Sequence, residues 1–348
     1  MKLTFVINDI RTEKVNFTTT RLARRAIERG HEIFWVGLGD FTYDPSGAIS
    51  AHGSRPRHQV YKTDAELLAD VQAADATLER VCLTKMDVIL LRSDPAEELV
   101  ARPWAPNSAL LFAQIASKEG VIVLNDPRRL TDASNKTYFQ QYPEVIRPRT
   151  CITRDPGEIK RFVKEEKGRA VIKPLQGSGG HGVFLVDEGS GQNINQMIEA
   201  TLRDGYAIVQ EYLPRAASGD VRMFTLNGRP LCIDGVYACL RRYSETGDGR
   251  SNISAGGSYE LVEPDEDALQ LAEIAGAKLR SDGMYLAGLD IVGDKMMEIN
   301  VDTPGCLNMI DDLTGKDFCG TVIEDLERKV RLQREYGGRL RGHELSSL

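Results

Sequence analysis

Apolar runs alternate with polar and glycine-containing segments through the first third of the chain. Four runs are typical of strands buried in a sheet, and helical apolar stripes lie between them: Lys2–Ile7, Glu32–Gly37, Met86–Leu91 and Val121–Leu124. This alternation predicts an open parallel α/β sheet over residues 1–124, in which ligands bind at the carboxyl ends of the strands. Arg92 follows the third strand directly and is therefore a candidate binding residue; the alternative is an exposed loop arginine.

After residue 124 the pattern changes to strands that are joined by shorter turns. Residues 125–206 are expected to form a middle unit with a glycine-rich turn, and residues 207–332 a last unit. The helix predicted in the last unit has an apolar stripe typical of a core: Ala268, Leu271, Ala272, Ala275 and Leu279. Residues 333–348 are expected to be a polar tail that frays. The fold class is accordingly mixed α/β, or α+β.

Two strand-like runs flank Gly293 and Asp294 and predict a β-hairpin. A turn of three residues, 293–295, sets Asp290 opposite Glu298, whereas a turn of two residues shifts the register and sends Asp290 to the other face. With the longer turn, two carboxylates converge with the Asn300 amide oxygen, an oxygen set that suits Mg²⁺. The alternative is a solvated hairpin face on which acidic residues lie by chance. The hairpin alone does not separate these two interpretations.

A glycine-rich segment, Gln176–Gly182, joins two further strand-like runs. Glycines let the backbone approach a ligand closely and direct N–H groups at phosphate oxygens. No Gly-Lys-Ser/Thr follows, so the segment is not a P-loop. Lys173 lies on the preceding strand, where its ammonium can meet a phosphate as a point charge. Considered alone, the segment is better explained as an ordinary glycine-rich hairpin.

The strand lysine, the glycine-rich turn and the acid-acid-amide set together resemble the ATP-grasp superfamily. From about residue 1 to about residue 329 the chain is similar to the bacterial glutathione synthetases. The segments that carry the resemblance are Ile89–Pro95, Asn125–Pro127, Asn135-Lys136, the glycine-rich turn, Gln210–Pro214, Gly219–Arg222, Ala255–Gly257 and Gly288–Val301. It implies an ATP-grasp fold behind an N-terminal α/β domain, and an ATP-dependent ligase that forms an amide through an acyl-phosphate. The implied reaction joins γ-glutamylcysteine to glycine.

The resemblance also implies a role for each matching residue. ATP binding is implied for Lys136, Lys173, Gly177, Ser178, Gly179, Gly180, Gln210, Glu211, Tyr212, Leu213 and Asp220. Substrate binding is implied for Arg92, Arg222, Arg242, Asn300, Thr303 and Gly305. Catalysis is implied for Arg222, Arg242 and Asn252, and metal binding for Asp290, Glu298 and Asn300. The implied cofactor is Mg²⁺, or Mn²⁺ in its place, with ATP as co-substrate, and the implied assembly is a homodimer or homotetramer.

Two of these assignments also have support from the residues themselves. Arg222 shares a strand face with Phe224, and an arginine on an apolar face requires an anion; a protein carboxylate is the alternative to a substrate.

The segment from Arg241 to Gly257 is rich in glycine, serine and arginine and has little to bury. It is predicted to be a lid that orders over bound anions, with a plain connector as the alternative.

One turn departs from the family pattern. The family usually carries Asn-Val-Thr-Ser-Pro-Thr where this chain has Asn300-Val301-Asp302-Thr303-Pro304-Gly305. Gly305 lacks a hydroxyl, and Asp302 adds a negative charge that would repel a carboxylate or bind an amine. A ligase for another peptide or amino acid therefore stays open. So does a non-catalytic ATP-binding regulatory protein, although the complete metal set argues against it.

Composition sets the outer limits. A chain of 348 residues with 41% hydrophobic and 27% charged residues is typical of a globular protein of two or three domains. The formal net charge of −7 and a pI near 5.5 disfavour nucleic-acid binding. No apolar run approaches the ~20 residues of a membrane span, and no leader pattern precedes the first strand, so a cytoplasmic protein is expected. Six cysteines without a CxxC pair favour reduced thiols.

Overall fold

The computed structural model describes residues 1–99, 101–133, 135–177, 182–187, 193–203, 205–244, 257–340 and 342–348. These residues form an α/β fold with three main sheets that follow one another along the chain. Within the described ranges, no helix combines the length and the apolar character that crossing a membrane requires.

The first unit is a six-stranded sheet with helices on its faces. Its elements are β1 (Lys2–Ile7), α1 (Thr18–Glu28), β2 (Glu32–Tyr43), β3 (Ile49–Arg55), α2 (Asp64–Val71), β4 (Thr77–Cys82), β5 (Val88–Leu91), α3 (Ser108–Lys118), β6 (Ile122–Leu124) and α4 (Pro127–Asp132). The strand order is β4-β3-β2-β1-β5-β6, and β2, β1, β5 and β6 are parallel, as the sequence predicts. The antiparallel strands β3 and β4 extend one edge and escaped prediction, because both are rich in polar residues.

The middle unit is a four-stranded antiparallel sheet. It contains β7 (Thr150–Thr153), α5 (Pro156–Glu165), β8 (Ala170–Pro174), β9 (Phe184–Val186), α6 (Ile194–Arg203) and β10 (Ala207–Glu211). The strand order is β7-β10-β8-β9, which sets β10 between β7 and the strand that carries Lys173. Helices α5 and α6 contribute apolar side chains to the core of this unit.

The last unit is built on a second antiparallel sheet. Its elements are β11 (Asp220–Leu226), β12 (Arg229–Pro230), β13 (Cys232–Ile233), β14 (Val236–Tyr237), β15 (Cys239–Tyr243), β16 (Ser258–Leu261), α7 (Glu266–Ser281), β17 (Leu286–Val292), β18 (Lys295–Asn300), α8 (Leu307–Thr314), α9 (Phe318–Glu335) and α10 (Gly342–Ser347). The main path is β16-β15-β11-β17-β18, and β13 pairs with β14 separately. All five residues of the apolar stripe predicted on α7 are buried.

The carboxyl-terminal segment is not the fraying tail that its polar composition predicts. Helix α9 continues to Glu335, and the side chains of Leu345 and Ser346 in α10 are fully buried. The ammonium of Lys329, itself fully buried, donates to the Leu345 carbonyl and, at 2.8 Å, to Asn227 Oδ1. These buried side chains and the Lys329 hydrogen bonds hold α10 against the body of the protein.

Helix packing connects the first unit to the last. Helix α1 packs against α9, and Leu22 from α1 shares a hydrophobic cluster with Phe318 and Leu326 from α9. This contact brings the turn after β18 against the end of β5, where the Arg92 side chain meets the Pro304 carbonyl.

Candidate active site

A single large cleft of ≈ 1240 Å³ receives side chains from all three sheets. Arg92 enters it from the end of β5, Lys173 from β8, and Glu298 and Asn300 from β18. Parallel strands present their carboxyl ends to ligands, so the position of Arg92 agrees with its place in the first sheet.

The β17–β18 hairpin, which carries the predicted metal ligands, has the predicted pairing but not the predicted turn. Asp290 lies directly opposite Glu298, as expected. The turn, however, has two residues, since Val292 pairs with Lys295, and Gly293 takes a positive φ of 61° at its first position. The ladder shifts by one residue between Asp290 and Ile291, so Met297 forms a β-bulge. The expectation that a two-residue turn would send Asp290 to the opposite face was therefore wrong, because the bulge restores the register.

Asp290 is the centre of a buried ion-pair network and is only 1% exposed. Arg222 donates through Nε to Oδ1 and through Nη2 to Oδ2 at 2.8 Å. Arg242 Nη2 lies 2.9 Å from Oδ2, and Asn300 Nδ2 donates to the same oxygen at 3.1 Å. Burial alone would raise the pKa of Asp290, but the two guanidiniums outweigh it and lower the pKa to about 2. Arg222 thus has the carboxylate partner that its apolar face required.

Asp220 also belongs to this network. It is paired with Arg242 across the β11–β15 ladder, and its carboxylate accepts from Arg242 Nη2 and, at 3.1 Å, from Arg242 Nε. Asp220 is 2% exposed and is not among the residues that line the cleft. In the structure the Asp220 carboxylate holds Arg242 in place, and the ATP binding that the resemblance implies for Asp220 stays a prediction.

Lys136 and Glu298 form a second ion pair in the cleft. Lys136 Nζ donates to Glu298 Oε1, and the side chains are 22% and 32% exposed. Burial would lower the pKa of Lys136, but the neighbouring Glu298 raises it above its usual value. Burial would likewise raise the pKa of Glu298, and the charges of Lys136 and Lys173 lower it. Lys136, a candidate for phosphate binding, is therefore paired with Glu298, a candidate metal ligand. A phosphate ligand would compete with Glu298 for the lysine.

Among the residues that the structure describes, no carboxylate forms an ion pair with Lys173. Its Nζ donates to Gln210 Oε1 at 3.1 Å, and Gln210 Nε2 donates to Thr150 Oγ1 at 3.2 Å. Burial and the charge of Lys136 lower the pKa of Lys173 to about 8. A lysine that is buried next to another lysine gains from any anion in the cleft. Gln210 itself lies inside the β7-β10-β8 ladder and positions Lys173 through its side chain.

The residues that follow β10 form part of the cleft wall. Glu211 N donates to the Arg149 carbonyl at 3.0 Å, so the residues beyond the ladder are Tyr212 and Leu213, which line the cleft. The Arg169 guanidinium lies 4.0 Å from the centre of the Tyr212 ring, a cation–π contact on the cleft wall. Sequence reasoning missed Arg169, because nothing in the pattern connects two residues so far apart.

Arg92 lines the same cleft and is only 4% exposed, so the interpretation as an exposed loop arginine was wrong. Its Nε donates to Thr19 Oγ1 at 3.2 Å and its Nη2 to the Pro304 carbonyl at 2.9 Å. Among the described residues no carboxylate lies within ion-pair distance of it. Burial lowers the pKa of Arg92 to about 10, so the guanidinium is still charged at neutral pH. It is a buried cation supported by neutral acceptors.

The turn after β18, which departs from the family pattern, also lines the cleft. Thr303 and Gly305 both face it, and the Gly305 carbonyl accepts from Arg222 Nη1 at 3.3 Å. The Asp302 side chain is half-buried and makes no hydrogen bond or ion pair with the residues that the structure describes. Burial, with the nearby charge of Asp94, raises the pKa of Asp302 to about 8.

Some predicted residues lie outside the described ranges. These are Ser178, Gly179, Gly180 and Asn252, together with most of the predicted lid, residues 245–256. Gly177 lies within the described ranges and lines the cleft. Its φ is 150°, a backbone conformation that favours glycine.

The oxygen donors fit a divalent cation in part. Glu298 and Asn300 line the cleft from one face of β18, whereas both oxygens of Asp290 are engaged by guanidiniums and by Asn300. Across the described part of the chain, no group of three or more His, Cys, Asp or Glu side chains is arranged to hold a metal ion. The metal role stays a prediction, and it requires Asp290 to exchange a guanidinium for the cation.

Comparison with known families covers nearly the whole chain. Residues 1–131 match the prokaryotic glutathione synthetase N-terminal domain, and residues 135–315 match the prokaryotic glutathione synthetase ATP-grasp domain. The chain is 30% identical over 310 residues to a glutathione synthetase of Vibrio parahaemolyticus, which covers 88% of this chain and 91% of the relative. It is 32% identical over 317 residues to one of Salmonella typhi, with coverage of 90% and 93%.

Solved structures confirm the fold. A D-cycloserine synthetase superimposes with a TM-score of 0.64 at 13% identity, covering 94% of this chain and 99% of that one. The ATP-grasp ligase PsnB, complexed with a minimal precursor, Mg and ADP, superimposes with a TM-score of 0.58 at 16% identity, covering 94% and 98%. At these identities the likeness concerns the fold alone.

Proposed function

The chain belongs to the prokaryotic glutathione synthetase family, and we propose that it joins the cysteinyl carboxylate of γ-glutamylcysteine to the amine of glycine at the expense of ATP. The observation that carries this proposal is the arrangement of charge in one cleft. Lys136, Lys173, Arg222, Arg242 and Arg92 all line this cleft, and Arg92 is buried without an ion-pair partner among the described residues. The first four cations suit a triphosphate, and Arg92 suits a substrate carboxylate.

The chemistry that this arrangement supports is phosphoryl transfer followed by amide formation. A carboxylate oxygen of the peptide attacks the γ-phosphorus of ATP, ADP leaves, and an acyl-phosphate results. The glycine amine then attacks the acyl carbon, the bond to the phosphate oxygen breaks, and the amine loses a proton. No covalent attachment to the protein is needed, so catalysis comes from positioning and from stabilising charge.

The residues divide this work by position. Lys136 and Lys173 bind the phosphates as point charges, which for Lys136 means exchanging the Glu298 carboxylate for a phosphate oxygen. Arg222 and Arg242 lie deeper, where their guanidiniums would stabilise the transferring phosphoryl group. Tyr212 and Leu213 form the wall on which the adenine would rest.

A divalent cation, proposed as Mg²⁺ with Mn²⁺ as its substitute, would be held by Glu298 and Asn300 together with Asp290. When bound, it would neutralise phosphate charge and orient the phosphates. We also retain a cytoplasmic location and a homodimer or homotetramer as parts of this proposal.

The test is ADP release by the purified protein with ATP and Mg²⁺, supplied with γ-glutamylcysteine, glycine, both or neither. We expect ADP release and stoichiometric glutathione only when both are present. ADP release with other acid and amine pairs, but not with this one, would keep the ligase and replace the substrates. The Asp302-containing turn is the feature that makes this comparison necessary.

A further inference from the structure

A buried cluster of polar side chains begins two residues along the chain from Lys136. Its members are Tyr138, Tyr142, Lys278 and Asp282, of which the two tyrosines and the aspartate are buried. Tyr138 Oη donates to Asp282 Oδ2 at 2.8 Å, and Tyr142 Oη donates to Tyr138 Oη at 3.1 Å. Lys278 Nζ lies 2.8 Å from the same Asp282 oxygen. None of these four side chains has a part in the reaction proposed above.

The aromatic rings of the cluster face its ion pair. The Tyr138 and Tyr142 rings meet edge to face, with their centres 5.5 Å apart and their planes at 87°. Lys278 Nζ lies 5.1 Å from the centre of the Tyr138 ring and 5.8 Å from that of Tyr142, so both rings make cation–π contacts with it. Burial raises the pKa of Tyr138 above its ordinary value, so the hydroxyl keeps its proton and continues to donate to Asp282.

The cluster joins two distant parts of the chain. The tyrosines belong to the segment between α4 and β7, which also carries Lys136. Lys278 lies in the last turn of α7, and Asp282 caps the carboxyl end of that helix. The chain then enters β17, whose partner strand β18 carries Glu298. The cluster therefore fastens the segment of Lys136 to the unit that carries its carboxylate partner.

The contacts of Lys136 itself do not fix its ammonium once a phosphate is bound. Its backbone N–H donates to the Leu175 carbonyl at 3.3 Å, next to the glycine-rich turn of the middle unit. Its Nζ donates to Glu298 Oε1, a contact that a phosphate oxygen would replace. After that exchange Lys136 has lost the ion-pair partner that it has among the described residues. The position of its ammonium then depends on the backbone that carries it.

We propose that Tyr138 and Asp282 are positioning residues for phosphate binding, and that their hydrogen bond fixes the segment of Lys136 so that its ammonium stays in place when it exchanges Glu298 for a phosphate oxygen. This role rests on the proposed function, since it acts on the nucleotide through Lys136. Tyr138 lines the cleft, but its hydroxyl is engaged by Asp282. A charged group that is held in advance loses less conformational freedom when its ligand binds.

The experiment is a double-mutant cycle in which calorimetry measures the affinity for ADP in the presence of Mg²⁺. We expect Tyr138→Phe to weaken ADP binding by about three- to tenfold, because the hydrogen bond that fixes the segment is lost. In the Lys136→Met background the same change should alter the affinity by less than about twofold, because the residue through which it acts is gone. Equal factors in the two backgrounds would show that Tyr138 acts independently of Lys136 and would overturn the inference.

Tyr285→Phe is the matched control. Tyr285 is fully buried, its hydroxyl donates to the Val322 carbonyl at 2.8 Å, and neither residue is among those that line the cleft. Both tyrosine variants lose one buried hydrogen bond, so denaturant titration should give similar losses in the free energy of unfolding. Only Tyr138→Phe should lose affinity for ADP. An equal loss of affinity in Tyr285→Phe would mean that lowered stability explains the effect, and the positioning role would be wrong.

Substitutions of Asp282 test the other partner of the hydrogen bond. Asp282→Asn retains an oxygen that can accept from Tyr138 and should bind ADP within about twofold of the native affinity. Asp282→Ala removes the acceptor and should resemble Tyr138→Phe; native affinity in this variant would overturn the inference, and Tyr138→Phe alone decides if it does not fold. If the native protein does not bind ADP, the proposed function fails and the positioning role fails with it. Native binding with equal factors in the cycle removes the positioning role alone.

Discussion

Glu298→Gln separates two roles that one carboxylate holds in this cleft. Glu298 is a predicted metal ligand, and it is also the described partner of Lys136. The pair is partly exposed, with side chains 32% and 22% accessible, so it contributes about 0–1 kcal/mol to the free energy of unfolding. Glutamine is nearly isosteric. The variant should therefore fold, with a melting temperature within about 4 °C of the native value.

The effect on turnover should be much larger than the effect on stability. Removing one negative charge from a metal site costs at least ~1.4 kcal/mol of transition-state stabilisation, which is more than tenfold in rate. Metal-free nucleotide binding should respond in the opposite direction. The variant frees Lys136 from its carboxylate and raises the formal charge of the cleft by one, so ADP in the presence of a chelator should bind about two- to fivefold more tightly.

The assays are coupled ADP release with Mg²⁺ and calorimetric titration of ADP with a chelator. Asp294→Asn is the control, because Asp294 is exposed at the turn of the same hairpin and carries the same charge. ADP release at the native rate in Glu298→Gln would remove this residue from the metal site. Weaker metal-free binding of ADP would refute the exchange of Lys136 from carboxylate to phosphate.

Three further outcomes are expected. Asp290→Asn should lower the free energy of unfolding by about 3–5 kcal/mol, measured by denaturant titration, because it leaves Arg222 and Arg242 buried without their shared carboxylate; a midpoint equal to that of Glu298→Gln would contradict this. The affinity for ADP should fall as pH rises above the pKa of Lys173 near 8, since phosphate binds the protonated form, and Lys173→Met should abolish this dependence. Leu345→Ala should cost about 2–5 kcal/mol in thermal or denaturant unfolding, whereas a fraying tail predicts no change.

The sequence was sufficient for features that depend on neighbouring residues. Apolar runs located the four parallel strands of the first sheet. Alternation on β18 predicted a shared face for Glu298 and Asn300, and both residues line the cleft. In each case the pattern has the period of the element itself, so no distant contact was needed to interpret it.

The hairpin turn failed for a reason that a local pattern cannot reveal. The sequence gives the number of residues between Asp290 and Glu298, and a three-residue turn or a two-residue turn with one bulge accounts for that number equally well. Met297 is apolar and carries no signal of a bulge. Strands β3 and β4 were missed because they are polar, and α10 because its docking involves residues distant in sequence, such as Lys329, sixteen positions before Leu345.

The choice of ionic partners is the part of the site that depends on the whole fold. From the sequence, the lysines and arginines of the cleft are candidates for binding phosphate, and its carboxylates are candidates for binding metal. In the folded chain these groups pair with one another, as Arg222 does with Asp290. An anionic ligand at a self-paired cation must displace a carboxylate. Arg92 differs, since it has no ion-pair partner among the described residues and can take an anion without breaking a pair. Position in the sequence does not separate these two kinds of cation, because it does not tell which carboxylate the fold brings to each one.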